Sequence, residues 1–427
     1  MEDIKVQTRH KVVKMAIIGL RLCGIWSLES STPNYLQHLH YLSGVFGILA
    51  ILIFIGTLVG DLMMNIKDLL IITDDGCFLA GITIVLFKVY KFQTQRHKLT
   101  RLTKATHEPI DGLLKSSDFG LLTILKMNNI VENFGFSCLT LLGMILVLAL
   151  IFLVPTNDGE LPIRANFPFD TTTWPMHQVA FFLQMFAVAY GLMAILLIDT
   201  IGLGLMRWIN VQLIILSFNY QNCNQLCKDN IFTHLKNFNN NSHNCPNEKL
   251  QICEFLPFNE NEKKELQDSW LWRFTTCIKN HQRLINMVDE FNELSSSSML
   301  VQLFCSFSMI CLTAFQAALG VKDKSNLLKF MLYLGAAFSQ LLYWCWYGNV
   351  LFYQRMSLLN SQWMSGWENQ CLSQCSSFLI IAMIQTFRPL ELKAGKFFTL
   401  TMTTFIDVIR SSYSFFVLLT SVTDISN

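Results

Sequence analysis

Charge is scarce in this sequence: only 15% of its 427 residues are Asp, Glu, Lys or Arg, against about 25% in a soluble domain. A chain this poor in charge does not divide into two or three soluble domains, although its length would allow it. The balance of charge is nearly even, at +2, which leaves no electrostatic footprint for a nucleic-acid partner. Catalytic signatures are missing too. No nucleophile with its base and orienter, no Gly-rich phosphate loop and no His-Glu-x-x-His occurs. Nothing therefore supports an enzyme or a cofactor. The 13 cysteines are scattered, with no spacing that suggests a disulfide framework. The first residues, MEDIKVQTRHKVVKMAIIGLRL, carry only a short apolar run at 15–20 and lack the pattern of a signal peptide. That segment predicts a short amphipathic helix, lying on a membrane or packed on other helices.

Hydrophobicity is what the chain has: 52% of residues, 34 of them Phe. The apolar runs recur at about the 20-residue length a bilayer-spanning helix needs. Seven spans follow: 41–61, 69–90, 134–154, 179–205, 299–320, 328–352 and 397–420. The run SSFLIIAMI at 376–384 is too short to cross and reads as a helix packed on protein at one side. The expected fold class is an all-α membrane protein with seven transmembrane helices.

Lys and Arg in the connections set the orientation. Lys5, Arg9, Lys11, Lys14 and Arg21 precede span 1, and Lys91, Arg96, Lys98, Arg101, Lys104, Lys115 and Lys126 follow span 2. The alternate side has only Lys67, Arg164, Lys322 and Lys324. The N-terminus is thus expected in the cytosol and the C-terminus outside, the reverse of a G-protein-coupled receptor. Two receptor signatures are also missing: Asp-Arg-Tyr after span 3 and Asn-Pro-x-x-Tyr in span 7.

Six regions follow from these boundaries. Residues 1–40 form a cytosolic N-terminal segment. Residues 41–205 hold spans 1–4 with an outer loop, 155–178, able to form a lid. Residues 206–298 make a long cytosolic loop, Asn-rich and mobile at its centre, with helical flanks at 207–218 and 262–292. Residues 299–352 hold spans 5 and 6. Residues 353–396 are cytosolic anchor helices, and 397–427 hold span 7 and an extracellular C-terminus. In the second flank Leu266, Trp270, Phe274, Cys277, His281, Leu284, Val288 and Phe291 repeat every three or four residues, an amphipathic stripe. On this topology the sequon Asn240-Asn241-Ser242 stays bare. Cys223, Cys227, Cys245 and Cys253, with His234 and His243, lack a Cys-x-x-Cys pair and read as free thiols rather than a zinc site.

Ionisable residues inside spans are functional candidates because their burial is costly. Asp74 and Asp75 fall near the outer end of span 2 and read as interfacial. Asp199 lies deeper in span 4, where a structural partner and a functional role are equally open. Phe78, Phe182, Met185, Phe330 and Tyr333 occupy the outer halves of spans 2, 4 and 6. They are either ordinary packing or the wall of an apolar pocket for a small lipophilic molecule.

The last span, within TLTMTTFIDVIRSSYSFFVLLTSV (399–422), aligns Thr399, Thr403, Asp407, Arg410, Ser414, Val417 and Ser421 on one helical face. Asp407 and Arg410, three apart, can neutralise each other. Polar faces in lipid must meet protein or water. Two readings stay open: a helix buried in its own bundle, or a pore-lining helix of an oligomer, with Val417 or Leu418 closing it by dewetting.

The C-terminal part of the chain resembles the insect odorant receptor family. The matching residues are CWYGNVL (345–351), Ser357, Trp363, RPLELKAGKFF (388–398), Phe405 and SSYSFF (411–416), with LPIRANFPFD (161–170) similar to the family's second outer loop. The chain lacks the Thr-Tyr…Gln-Phe pattern of gustatory receptors. It also differs from the odorant co-receptor, so it looks like an odour-tuning subunit. The resemblance implies an odorant-gated, non-selective cation channel of four subunits, shared with the co-receptor, in the plasma membrane of olfactory sensory neurons. It implies a pore lined by the last helix, at Asp407, Arg410 and Ser414, gated near Val417, Leu418 and Ser421. It implies a pocket for a small volatile ligand among spans 2, 3, 4 and 6, which adds Ile82, Gly143 and Val147 to the residues above. A metabotropic seven-helix chemoreceptor, a gustatory-type receptor channel and a transporter are the alternatives; no inverted repeat is evident for the last.

Overall fold

The computed structural model describes residues 11–28, 32–113, 118–152, 161–171, 173–224, 252, 254–259, 262–263, 265, 269–319, 324–370 and 372–426. In chain order its helices are α1 (Lys11–Leu22), α2 (Asn34–Met64), α3 (Leu69–Thr94), α4 (Arg96–Leu113), α5 (Phe119–Phe152), α6 (Met176–Gln221), α7 (Trp270–Leu319), α8 (Lys324–Trp363), α9 (Leu372–Thr386) and α10 (Met402–Ser426). Among the described residues seven helices are long and apolar enough to cross a membrane: α2, α3, α5, α6, α7, α8 and α10. Each contains most of one expected span. The helix over 376–384 is also present, as α9.

The apolar windows understate the helices. α6 runs for 46 residues, α7 for 50 and α8 for 40. At 1.5 Å per residue α7 is about 75 Å long, more than twice the roughly 30 Å of a hydrocarbon core. The expected flank 207–218 continues α6 without a break, whereas α7 begins only at Trp270 rather than at 262. The amphipathic stripe explains the extension. From Trp270 to Phe291 all seven of its described members are buried; Leu266 lies outside the described residues. Phe274 stacks on Trp270 at 4.6 Å and meets Tyr220 of α6 edge-on at 5.3 Å. The Trp270 indole donates to the Ser365 carbonyl (2.8 Å) just beyond α8. Gln362 of α8 donates to the Thr386 hydroxyl of α9 (2.8 Å). Burial of a Phe-sized side chain is worth about 1.5–3 kcal/mol, so this layer is held by rings rather than by charges.

Two further helices flank the bundle. α1 buries Val12, Val13, Ala16 and Leu20 on one face, and Val13 reaches Gly204 of α6. It therefore packs on protein, not on a lipid surface. α4 occupies what the sequence reads only as a basic loop. Its Leu99, Leu102, Ile110 and Leu113 are buried, while Arg96, Lys98, Arg101 and Lys104 are exposed on the other side. Gln212 of α6 donates to its Thr106 carbonyl at 2.9 Å. The charges masked a stripe of helical period.

The entry to α10 is built from the segment 388–398. Strands β1 (Lys393–Ala394) and β2 (Phe398–Thr399) form a small antiparallel hairpin. Gly395 turns it with φ +67°, a left-handed conformation that glycine adopts freely. The Gly395 N–H donates to the Ser296 carbonyl (2.9 Å), and the Ser296 hydroxyl donates back to the Gly395 carbonyl (2.9 Å). The Asn292 side chain pairs with the backbone of Glu391 and Lys393. The last helix thus starts at Met402, not 397, and Thr399 belongs to β2 rather than to its polar face.

Gly348 of α8 sits against this entry: a Cβ there would lie 2.0 Å from the Leu400 carbonyl oxygen. Backbone cannot yield as a side chain does. Gly348→Ala is expected to cost at least the 1–3 kcal/mol, roughly, of overpacking. The check is the thermal midpoint of the purified protein and its surface level in cells. A variant equal to wild type in both would mean that α10 is not held by this contact.

Candidate ligand cavity and terminal helix

A cavity of about 180 Å³ lies between α3, α5, α6, α7 and α8. That is slightly larger than the roughly 150 Å³ engineered apolar cavity that binds benzene. It exists because side-chain volume is missing: Gly81, Gly143 and Gly191 face it from three helices. A Cβ on Gly143 would meet only Leu196 Cδ1, at 4.0 Å.

Of the residues expected at a pocket, Phe78, Ile82, Gly143 and Tyr333 line this cavity. Tyr333 meets Phe78 edge-on with ring centres 4.9 Å apart. The structure places the other four off its wall. Val147 is one residue out of register with Leu146, which does line it. Phe182 is 68% exposed, and Met185 is buried elsewhere in the core. Phe330 is buried under the Lys329 ammonium, 4.4 Å from its ring centre. On α6 the cavity face begins at Val188 and runs on through Gly191, Leu192 and Ile195, starting about one turn beyond Met185 and two beyond Phe182. Aromatic residues such as Phe78 and Tyr333 do line the void, but it forms where residues from facing helices are small. The glycines were the available signal.

Asp199 lines the cavity and has a partner that the sequence reading missed. Lys88 of α3, 2% exposed, donates to Asp199 Oδ1 at 2.5 Å. Gln340 of α8 donates to Oδ2 at 2.6 Å, and Gln302 of α7 donates to the Gln340 side-chain carbonyl at 3.0 Å. The Lys88 ammonium also lies 5.6 Å over the Trp344 ring. A second, smaller cavity of about 70 Å³ lies beyond the pair, and both Asp199 and Trp344 line each of the two. The signal in the sequence was a lysine within an apolar span.

Two expectations about loops and acids can be placed. Asp74 lies 3.6 Å from Lys329, and Asp75 is buried inside the protein at 1% exposure. The described part of the expected lid is folded onto the bundle. Arg164 pairs with Asp61 at 2.7 Å, the Asn166 N–H donates to the Thr57 carbonyl, and Gln184 donates to the Ile163 carbonyl at 2.7 Å. Residues 155–160 and 172 lie outside the described residues, as do the sequon at Asn240 and the cysteine and histidine group other than Cys223. The Cys223 thiol is buried against the Asn219 carbonyl.

α10 packs on α7 and α8 through one narrow face. The Ser412 hydroxyl donates to the Phe307 carbonyl (3.3 Å), Phe415 meets Phe307 edge-on at 5.3 Å, and Phe405 meets Phe338 at 6.3 Å. The polar line points elsewhere. Asp407, Arg410, Ser414, Val417, Leu418 and Ser421 are all exposed in the single chain. The reading of a helix buried within its own bundle therefore fails for this face. Asp407 and Arg410 form no ion pair with each other among the described residues. The Ser414 and Ser421 hydroxyls donate to their own helix, to Arg410 and Leu418 carbonyls.

The fold is similar to that of the insect olfactory receptor OR5 from Machilis hrabei, solved with eugenol and alone. The TM-scores are 0.76 and 0.75 at 16% and 15% identity; the matches cover 98% and 97% of this chain and 99% and 98% of those. Among curated proteins, Odorant receptor 85c of Drosophila melanogaster is 29% identical over 37% of this chain and 41% of its own length. Odorant receptor 47b of the same fly is 23% identical over 62% of this chain and 57% of its own length. Odorant receptor Or1 of Anopheles gambiae is 23% identical over 62% of this chain and 61% of its own length. These alignments span less than two thirds of each relative. The family is one of receptors rather than enzymes, and its members are multi-pass membrane proteins. A model of the 7tm Odorant receptor family matches residues 70–413, and the chain belongs to that family.

Proposed function

We propose that this chain is an odour-tuning subunit of an odorant-gated, non-selective cation channel, assembled with the odorant co-receptor as a heterotetramer. The observation that carries the proposal is the polar line of α10. Asp407, Arg410, Ser414 and Ser421 are exposed on a membrane-length helix, and lipid does not accept such a face. Water in a pore shared between subunits does. A small volatile molecule enters the 180 Å³ cavity and shifts the bundle toward the open pore. The N-terminus is cytosolic and the C-terminus extracellular. The extensions of α6, α7 and α8, with α9, form the cytosolic anchor. The receptor resides in the plasma membrane of olfactory sensory neurons.

The test is whole-cell recording from cells expressing the chain with and without a co-receptor, under blocked G-protein signalling. Odour-evoked current is expected to persist with the co-receptor present. A C-terminal tag is expected to be reachable on unpermeabilised cells, and Asn240 to carry no glycan. Current that disappears with the block would favour a metabotropic receptor. A tag seen only after permeabilisation would overturn the orientation and the pore with it.

A further inference from the structure

Resting on the reading of the cavity as the odorant site, we infer the chemical class of its ligand: an apolar volatile with a hydrogen-bond acceptor and no donor, such as a ketone, aldehyde or ester. Most polar side chains on the wall already have partners. Asp199 already accepts from Lys88 and Gln340, and the Gln340 carbonyl accepts from Gln302. The Thr313 and Ser339 hydroxyls donate to carbonyls of their own helices, and the Cys77 thiol donates to the Asp74 carbonyl. Two buried donors are left without partners, the Tyr333 hydroxyl and the Trp344 indole N–H. Among the described residues no buried acceptor on the wall lacks a partner except the Tyr333 oxygen itself.

A buried donor without a partner is costly, so a ligand that supplies an acceptor gains what the empty wall lacks. The indole can only donate, and the phenol donates readily. The two groups are 11 residues apart on α8, about 16 Å along its axis, so they line the cavity at well-separated places. A carbonyl beside Tyr333 leaves the hydrocarbon against Ile82, Val188 and Gly191. An alcohol can also accept from Tyr333, but its own hydrogen meets carboxylate and amide oxygens that each already accept a hydrogen bond. A hydrocarbon fills the volume and leaves both donors unmet.

The experiment compares a panel of ketones, aldehydes and esters with hydrocarbons and alcohols of the same skeletons, about the size of benzene or slightly larger, on cells expressing the chain with a co-receptor. Carbonyl compounds are expected to be the most potent. Tyr333→Phe is expected to raise their half-maximal concentration about tenfold and to leave hydrocarbon potency in place. Gly143→Val, which narrows the cavity, is expected to weaken every class. If Gly143→Val acts and Tyr333→Phe does not change the ratio of carbonyl to hydrocarbon potency, the acceptor inference is overturned and the site stands. Alcohols more potent than their ketones on the wild type overturn it as well. If Gly143→Val shifts no class at normal surface levels, the cavity is not the site, and both readings fall.

Discussion

Lys88→Met is expected to abolish delivery of the protein to the cell surface, and Asp199→Asn in the same chain to restore most of it. Both charges are buried, at 2% and 4% exposure, and they lie 2.5 Å apart. A buried pair adds little net stability over a neutral replacement, because desolvation offsets the attraction. Removing one partner is different. It leaves an uncompensated charge in a low-dielectric interior, at a cost of roughly 3–5 kcal/mol, a large share of the roughly 5–15 kcal/mol that holds a domain folded. Asn is chosen over Leu at 199 because Gln340 still needs the acceptor it now finds at Oδ2. Met keeps the length of the lysine stem. The measurement is surface labelling together with thermal unfolding of the detergent-solubilised protein, across both single variants and the double. Single variants that match wild type would show that the pair is not held as a charged couple. A double variant no better than either single would show that the loss lies in packing.

Val417→Gln and Leu418→Gln are expected to raise current in the absence of odorant, and Ser421→Lys to reduce permeability to cations. The proposed channel rests on the exposed line of α10, and these residues lie on it or beside it near the C-terminal end of the helix. Val417 is 45% and Leu418 57% exposed in the single chain. Hydrophobic constrictions close a pore by excluding water, and a ring of polar side chains lets water stay. A lysine ring repels the permeating cations instead. In the proposed heterotetramer the co-receptor's last helices share the pore, so the effect is diluted by the copies that keep their own residues. Recording is made with the co-receptor present, alongside surface labelling. Unchanged basal current in both Gln variants and unaltered selectivity in Ser421→Lys, at normal surface levels, would mean that this face packs against protein and is structural.

The seven spans are legible in the chain alone, because about 20 successive apolar residues are a local property that survives any tertiary arrangement. So is the stripe from Trp270 to Phe291, since helical period is written in the chain. The polar line of α10 was equally legible, but not what it faces. Tertiary structure decided that: the packing face is set by Phe307 and Phe338 of neighbouring helices, which no spacing along α10 reveals. The cavity was decided the same way. Single glycines on α3, α5 and α6 are unremarkable one at a time, and a void appears only when three helices bring them to one place. Lys88 and Asp199 are 111 residues apart in the chain, so the sequence singles out Asp199 alone and only the fold supplies its partner. Local period and length fix which helices form; coincidence of side chains from distant helices fixes the site, and only packing creates it.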